Sequence, residues 1–425
     1  MIDMIVVIAK LVFWLGMAIL VHELGHFLAA KLFGIRVIKF SIGFPPRLFG
    51  FRRGETEYVL SAIPVGGYVK LSGEDWDEKA TDSHDLMAKP WWVRIIVYAS
   101  GVVMNVALAF LLFYVHLVRG VEIGNYPAVL GAVHHGSSGE SAGLKAGDRI
   151  IEADGKPVSG WNEFAEIVGK AGPGAKVALR LERGKRIVSR ELSFTRNSGL
   201  EPFVEPVVGF VMPAQPARKA GMAAGDRIIS IQGKRITQWN EVSRAIGAAK
   251  PGPIKMKVDR AGKSVVITVT PKKDPLADRA VIGISPAAPS YDRKRFSPVK
   301  SAIYSAEEIW IITGEVVKVV WKVVTFKVKF AEAMGGPVLI AQLGYEKARE
   351  GIWELLHYIG VLNVQLVIAN LLPIPMLDGG MILLALWEGA RRRRLSMKTY
   401  QNLTTVGFAF LIALILLATY HDFRR

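Results

Sequence analysis

The chain has 425 residues, too many for one compact core, so several domains are expected. Hydrophobic residues make up 51% and mean hydropathy is +0.29, which points to membrane embedding rather than a cytosolic enzyme, although the middle of the chain reads as soluble sequence. Cysteine is absent, which excludes disulfides and thiolate ligands, and the net charge of +17 comes with no nucleic-acid motif, so no nucleic-acid partner is expected.

The first apolar span runs from about Met4 to Phe33. Asp3 stands where a signal peptide carries basic residues, the apolar run is too long and no small-x-small site follows, so the span reads as a retained helix. Within it lies His22-Glu23-Leu24-Gly25-His26. Four residues apart on a helix, the two imidazoles project from one face and can reach one metal ion. Glu23 between them is the residue type that takes a proton from water activated by the metal. Ionisable residues in hydrocarbon signal function by default.

Between the first and second spans, Val37–Phe44 and Glu57–Ile63 read as strands, with turns at Pro45-Pro46 and Arg52-Arg53-Gly54. Gly66-Gly67-Tyr68-Val69-Lys70-Leu71 follows as an edge strand, giving a small hairpin sheet tucked against the first helix or a cytoplasmic hairpin with no role. The second span covers about Trp91 to Val118, where Gly101 and Asn105, four apart, suit close helix packing near the site.

The middle of the chain repeats itself. Ala142–Ile150 matches Ala220–Ile228, and the same constant offset superposes Gly131 on Gly209, Val133 on Val211, Trp161-Asn162-Glu163 on Trp239-Asn240-Glu241 and Pro173-Gly174 on Pro251-Gly252. The AGL-x-x-GD-x-I signature, followed by a strand, a turn and a helix, resembles the bacterial PDZ module. That fold binds extended peptides or chain ends beside one of its strands. Gly131, Val133, Gly209 and Val211 are the candidate peptide-binding positions, with steric spacers or filters as the other reading.

Ser301 to Phe330 interleaves Trp, Val and Lys, as in a helix lying at the membrane interface or one buried against the soluble modules. The third span, about Ile352 to Leu386, is interrupted by Pro373 and Pro375, and the fourth covers about Leu403 to Tyr420. Each span can cross a hydrocarbon core of roughly 30 Å. Two histidines do not complete a catalytic zinc site, and without cysteine the third ligand must be another His, Asp or Glu. Asp378 is the candidate: unpaired in the third apolar span it would cost on the order of 2.5–3.5 kcal/mol or more, and a cation relieves that. The prolines leave irregular backbone beside the metal, tolerated where it lines a cavity or is buried in protein. Asn370 can hydrogen-bond the backbone of an extended substrate, or serve as an interhelical polar contact.

HELGH in the first span, G-x-x-x-N in the second and N-x-x-P-x-P-x-L-D-G in the third, around two PDZ-like modules, resemble the site-2 protease family of intramembrane zinc metalloproteases. The arrangement is similar to its bacterial RseP-type (sigma-E regulator) branch, over essentially the whole chain. The resemblance implies a Zn2+ cofactor held by His22, His26 and Asp378, Glu23 as general base, and Asn370 as a substrate-binding residue. It also implies that the element around Gly66-Gly67-Tyr68 pairs with substrate; Asn105 is grouped with these.

The expected architecture is a polytopic α-helical membrane protein with four transmembrane helices, a membrane-associated β-hairpin sheet and two tandem PDZ-like α+β domains. The expected division is 1–120 (first membrane region), 121–200 and 201–290 (the two modules), 291–345 (amphipathic segment) and 346–425 (second membrane region). Four spans put both termini on one side. Arg391–Arg394 marks the other as cytoplasmic, so the modules face the periplasm of a bacterial inner membrane. The resemblance implies cleavage, within the lipid bilayer, of single-span membrane proteins such as an anti-sigma factor or remnant signal peptides. A membrane-anchored peptide-binding scaffold or a transporter is the alternative; neither needs Glu23.

Overall fold

Two hydrophobic helices open the membrane-associated part: α1 (Ile2–Leu32) and α2 (Trp91–Arg119). They are followed later in the chain by α3 (Pro298–Val324), α4 (Pro337–Glu350), α5 (Ile352–Asn370), α6 (Asp378–Arg391) and α7 (Met397–Arg424). The computed structural model describes residues 2–74, 82–172, 174–193, 198–249, 251–274, 279–330, 335–393 and 395–424. Pro173 of the repeat and Arg394 of the arginine run lie outside the described residues. Among the described residues, four stretches are long and apolar enough to cross a bilayer: Ala9–Leu32, Trp91–Arg119, Ile352–Asn370 and Lys398–Phe423. The chain forms two units, Met1–Gly120 with Arg295–Arg425, and Val121–Lys294.

In the first unit α2 is the central rail, in contact with α1, α3, α5 and α6. Small residues set the spacing of α1 and α2: a Cβ on Gly25 would stand 2.3 Å from the Ser100 carbonyl oxygen. The third apolar span is two helices, because the prolines at 373 and 375 remove backbone donors between α5 and α6. Met376 in that break has φ +91°, a strained conformation for a residue with a Cβ. The chain folds back on itself there: a Cβ on Gly380 would lie 2.1 Å from the Ile374 carbonyl oxygen.

The helix α3, started by the Ser297 hydroxyl accepting from the Lys300 amide, runs along α2 and α5. Ile309, Ile312 and Val316 pack against Ala109, Phe113, Val364 and Ile368, while Trp310, Ile311 and Trp321 are exposed. The amphipathic pattern of the sequence thus serves a helix with one face on the transmembrane helices.

Strands β1 (Val37–Arg53) and β2 (Thr56–Leu71) are longer than the sequence suggests. The Gly66–Leu71 stretch continues β2 instead of forming a separate strand. Val37–Ile42 of β1 is flanked on one side by Glu57–Leu60 and on the other by Gly67–Leu71 of the same long strand. The amides of Val69 and Leu71 turn away from β1 and donate to the carboxylates of Glu23 and Glu74 at 3.0 Å each.

The second unit contains the two repeats. Each builds a four-stranded antiparallel sheet: Lys156–Pro157, Arg149–Ala153, Lys176–Arg183, Arg186–Ser193 in the first, and Lys234–Arg235, Arg227–Ile231, Ile254–Arg260, Lys263–Val269 in the second. Each adds a helix, Trp161–Ala171 or Trp239–Gly247, and a two-stranded pair. The aspartate of the repeated signature has the same task twice. Asp148 takes both oxygens to Arg183 at 2.7 Å and accepts from the Lys145 amide. Asp226 does the same with Arg260 and the Ala223 amide. Burial pushes these carboxyls up, but the guanidinium and the amide outweigh it and hold both below the usual carboxylate range. The unit begins and ends on one ribbon, Val121–Asn125 paired antiparallel with Ser290–Lys294.

Candidate metal centre

The helical spacing of His22 and His26 brings their Nε2 atoms to 3.1 Å of each other, and both residues are buried. Asp378, the first residue of α6, completes the cluster, with Oδ2 3.2 Å from Nε2 of His22 and Oδ1 3.4 Å from Nε2 of His26. Among the described residues these three form a group of metal-ligating side chains whose donor atoms all lie within 4.8 Å of one another.

The donor set fits a zinc ion. Tetrahedral zinc with bonds of about 2.0–2.1 Å needs donors roughly 3.3 Å apart, which the three distances match. Oδ2 of Asp378 is buried without a hydrogen-bond partner. Gly101 on α2 faces the cluster, and a Cβ there would sit 2.5 Å from Nε2 of His26 and 2.8 Å from Nε2 of His22.

The remaining ring nitrogens are held from outside. Nδ1 of His26 lies 2.8 Å from the Val97 carbonyl oxygen; as a donor there, it leaves a lone pair on Nε2. Nδ1 of His22 lies 3.2 Å from the amide of Asn105, a fully buried residue whose Oδ1 has no partner. Turning the amide oxygen toward the ring satisfies both atoms and frees Nε2 of His22 in the same way. Asn370, the last residue of α5, has its amide 3.5 Å from Nε2 of His22.

Glu23 points to the sheet through its bond from the Val69 amide. Gly66 and Gly67 lie against α1 one turn before the histidines, where a Cβ would meet Ile19 and Leu20. The Tyr68 ring stacks on Phe44 with centroids 6.2 Å apart. The structure therefore gathers His22, Glu23, His26, Asn105, Asn370, Asp378 and the Gly66–Val69 stretch in one unit. Gly131 and Val133 lie on the strand Leu130–Val133, Gly209 and Val211 on Val208–Val211, both in the other unit. Sequence reasoning placed Val69 in an edge strand but missed its amide bond to Glu23, and missed Val97 altogether, because both contacts are made by backbone groups that no side-chain pattern marks.

A family model for peptidase family M50 matches residues 10–414. The chain belongs to peptidase family M50. It is a zinc metalloprotease with membrane-spanning character. Among similar proteins are the regulator of sigma-E protease RseP of Salmonella typhimurium, 29% identical with 98% of each chain covered, and that of Escherichia coli, also 29% identical with 98% of each covered. The zinc metalloprotease RasP of Geobacillus kaustophilus is 28% identical, with 100% of this chain and 97% of the relative covered. Four helices of this M50 protein among the described residues are long and apolar enough to span a membrane, and these relatives are bacterial, as for a bacterial membrane protein.

Proposed function

We propose that this M50 protein cleaves the transmembrane segments of single-span membrane proteins, with His22, His26 and Asp378 holding the zinc and Glu23 as general base. The convergence of two imidazoles and one carboxylate, with donor atoms all within 4.8 Å of one another, carries the reading. Zinc bound there supplies Lewis acidity, which acidifies water and polarises a carbonyl.

The chain's own groups do the rest. Glu23 takes a proton from the attacking water on a carboxylate oxygen; the water oxygen bonds to the scissile carbonyl carbon, the C–N bond breaks, and Glu23 returns the proton to the leaving nitrogen. A substrate helix must unwind first, because its carbonyls are engaged in helical bonds. Pairing with the Gly66–Leu71 stretch compensates those lost bonds, and Asn370 binds the extended backbone. Asn105 orients the His22 ring.

The division 1–120, 121–200, 201–290, 291–345 and 346–425 is the working domain assignment. Residues 121–200 and 201–290 are read as PDZ-like modules on the periplasmic side of the inner membrane. They exclude untrimmed substrates by size, or bind new chain ends beside Gly131, Val133, Gly209 and Val211. Their shared sheet order and shared Asp–Arg bond support a common module. The RseP relatives carry the name regulator of sigma-E protease; an anti-sigma factor or remnant signal peptide is the substrate proposed here.

The test is incubation of the purified protein with a single-span reporter, comparing wild type, Glu23→Gln and chelator-treated enzyme. Cleavage by wild type alone supports the assignment; identical behaviour of all three refutes it.

A further inference from the structure

Asp378 follows a break in the backbone. Between Asn370 and Asp378 the chain is irregular, so no continuous helix carries the position of α5 into α6. The packing of α6 on α2 therefore bears on where its first residue sits, and beyond Asp378 itself a charged contact between these two helices lies near the opposite end of α6, about 15 Å along the axis at 1.5 Å per residue. There Glu388 meets Arg94 of α2, Nη2 to Oε2 at 2.5 Å, with side chains only 7% and 6% exposed.

Both partners are themselves held. The other carboxylate oxygen of Glu388 accepts from the Leu395 amide at 2.9 Å, and Nη1 of Arg94 reaches the Met87 sulfur at 3.4 Å. Next to Glu388, Gly389 admits the Trp91 ring, which a Cβ would approach to 2.6 Å. Arg94 also lies one helical turn from Val97, whose carbonyl holds the His26 ring. The same turn of α2 therefore references one histidine through the backbone and the aspartate helix through a charge.

We infer that Arg94 and Glu388 are positioning residues whose buried ion pair registers α6 on α2 and thereby sets Asp378 against His22 and His26. This rests on the reading that those three residues hold the zinc. A buried pair is costly to break, since removing one partner strands the other charge in a poorly solvating interior. It also has little slack, because both charges are hydrogen-bonded elsewhere.

The experiment uses the full-length protein in detergent: wild type, Glu388→Gln, Arg94→Gln, the exchange Arg94→Glu with Glu388→Arg, and the remote core variant Leu355→Ala as a stability control. Zinc per chain is measured across a chelator series, together with unfolding temperature and kcat and KM on a single-span reporter. Each single substitution is expected to release zinc at about 10-fold lower chelator and to lower kcat about 10-fold, with KM nearly unchanged. The exchange should recover zinc retention, and Leu355→Ala should keep its zinc despite a lowered unfolding temperature. Zinc retention like wild type in Glu388→Gln overturns the inference, and so does zinc loss that merely follows unfolding temperature across all variants. A wild-type protein that holds no zinc overturns the metal-centre reading instead.

Discussion

The backbone amide of Val69 donates to Oε2 of Glu23 at 3.0 Å. One hydrogen bond thus ties the proposed base to the strand stretch proposed to receive substrate. Val69→Pro deletes the donor, at a position whose amide makes no ladder bond to β1, where proline is best tolerated in a sheet. Cleavage of a single-span reporter should fall about 100-fold, the low end for a misplaced general base, while zinc content stays at the wild-type level. Unchanged cleavage would sever the proposed link between strand and base.

Gly101 makes a second, steric prediction. In Gly101→Ala the new methyl would stand 2.5 Å from Nε2 of His26, and that ring cannot swing freely because Val97 holds its other nitrogen. A displacement of this kind costs on the order of 100-fold in activity. Metal analysis should show zinc lost in parallel. An alanine variant with full zinc and full activity would mean the metal lies elsewhere.

Metal removal should also appear as lost stability. A ligand present at about 1,000 times its Kd stabilises the folded state by about 4 kcal/mol. Chelation should therefore lower the unfolding temperature of the wild-type protein, and Asp378→Asn should unfold at the same temperature with or without chelator. A chelator effect of equal size in both proteins would exclude Asp378 from the ligand set.

The tandem repeats carry a pH dependence of known sign. Asp148 and Asp226 titrate below their ordinary range when folded, so their stabilisation is complete above the unfolded value of about 3.9 and fades as pH falls below it. Hydrogen exchange on the intact protein should show the strands Arg149–Ala153 and Arg227–Ile231 opening as pH falls below about 4. Asp148→Asn should cost about 2 kcal/mol at neutral pH, a charged hydrogen bond lost from a buried site, and should flatten the first of these transitions. Protection that does not change over this range would mean that the aspartates are not supporting these strands.

What could be read from the sequence depended on range. The apolar spans announce themselves by length, the two histidines by helical spacing, and the repeat by its self-similarity. Asp378 was legible because a carboxylate in an apolar run needs a partner. The ion pair of Arg94 with Glu388 was not, since each alone resembles an ordinary charge near a helix end. The ribbon of Val121–Asn125 with Ser290–Lys294 was hidden for a related reason: five-residue strands with mixed polarity carry no local signal, and their pairing closes a loop containing both repeats. The lacing of β2 around β1 escaped because Pro45-Pro46 and Gly66-Gly67 look like chain breaks in the sequence but lie within continuous strands.

The division of the proposed ligand set between α1 and α6 bears on how the enzyme is made. Synthesis runs from the N-terminus, so the two imidazoles are made before both repeats and the helices α2 to α5. A chain that stalls or is clipped before Asp378 holds two of the three proposed ligands, too few for a catalytic zinc site. The proposed cleavage inside the membrane is thereby reserved for chains translated past Asp378.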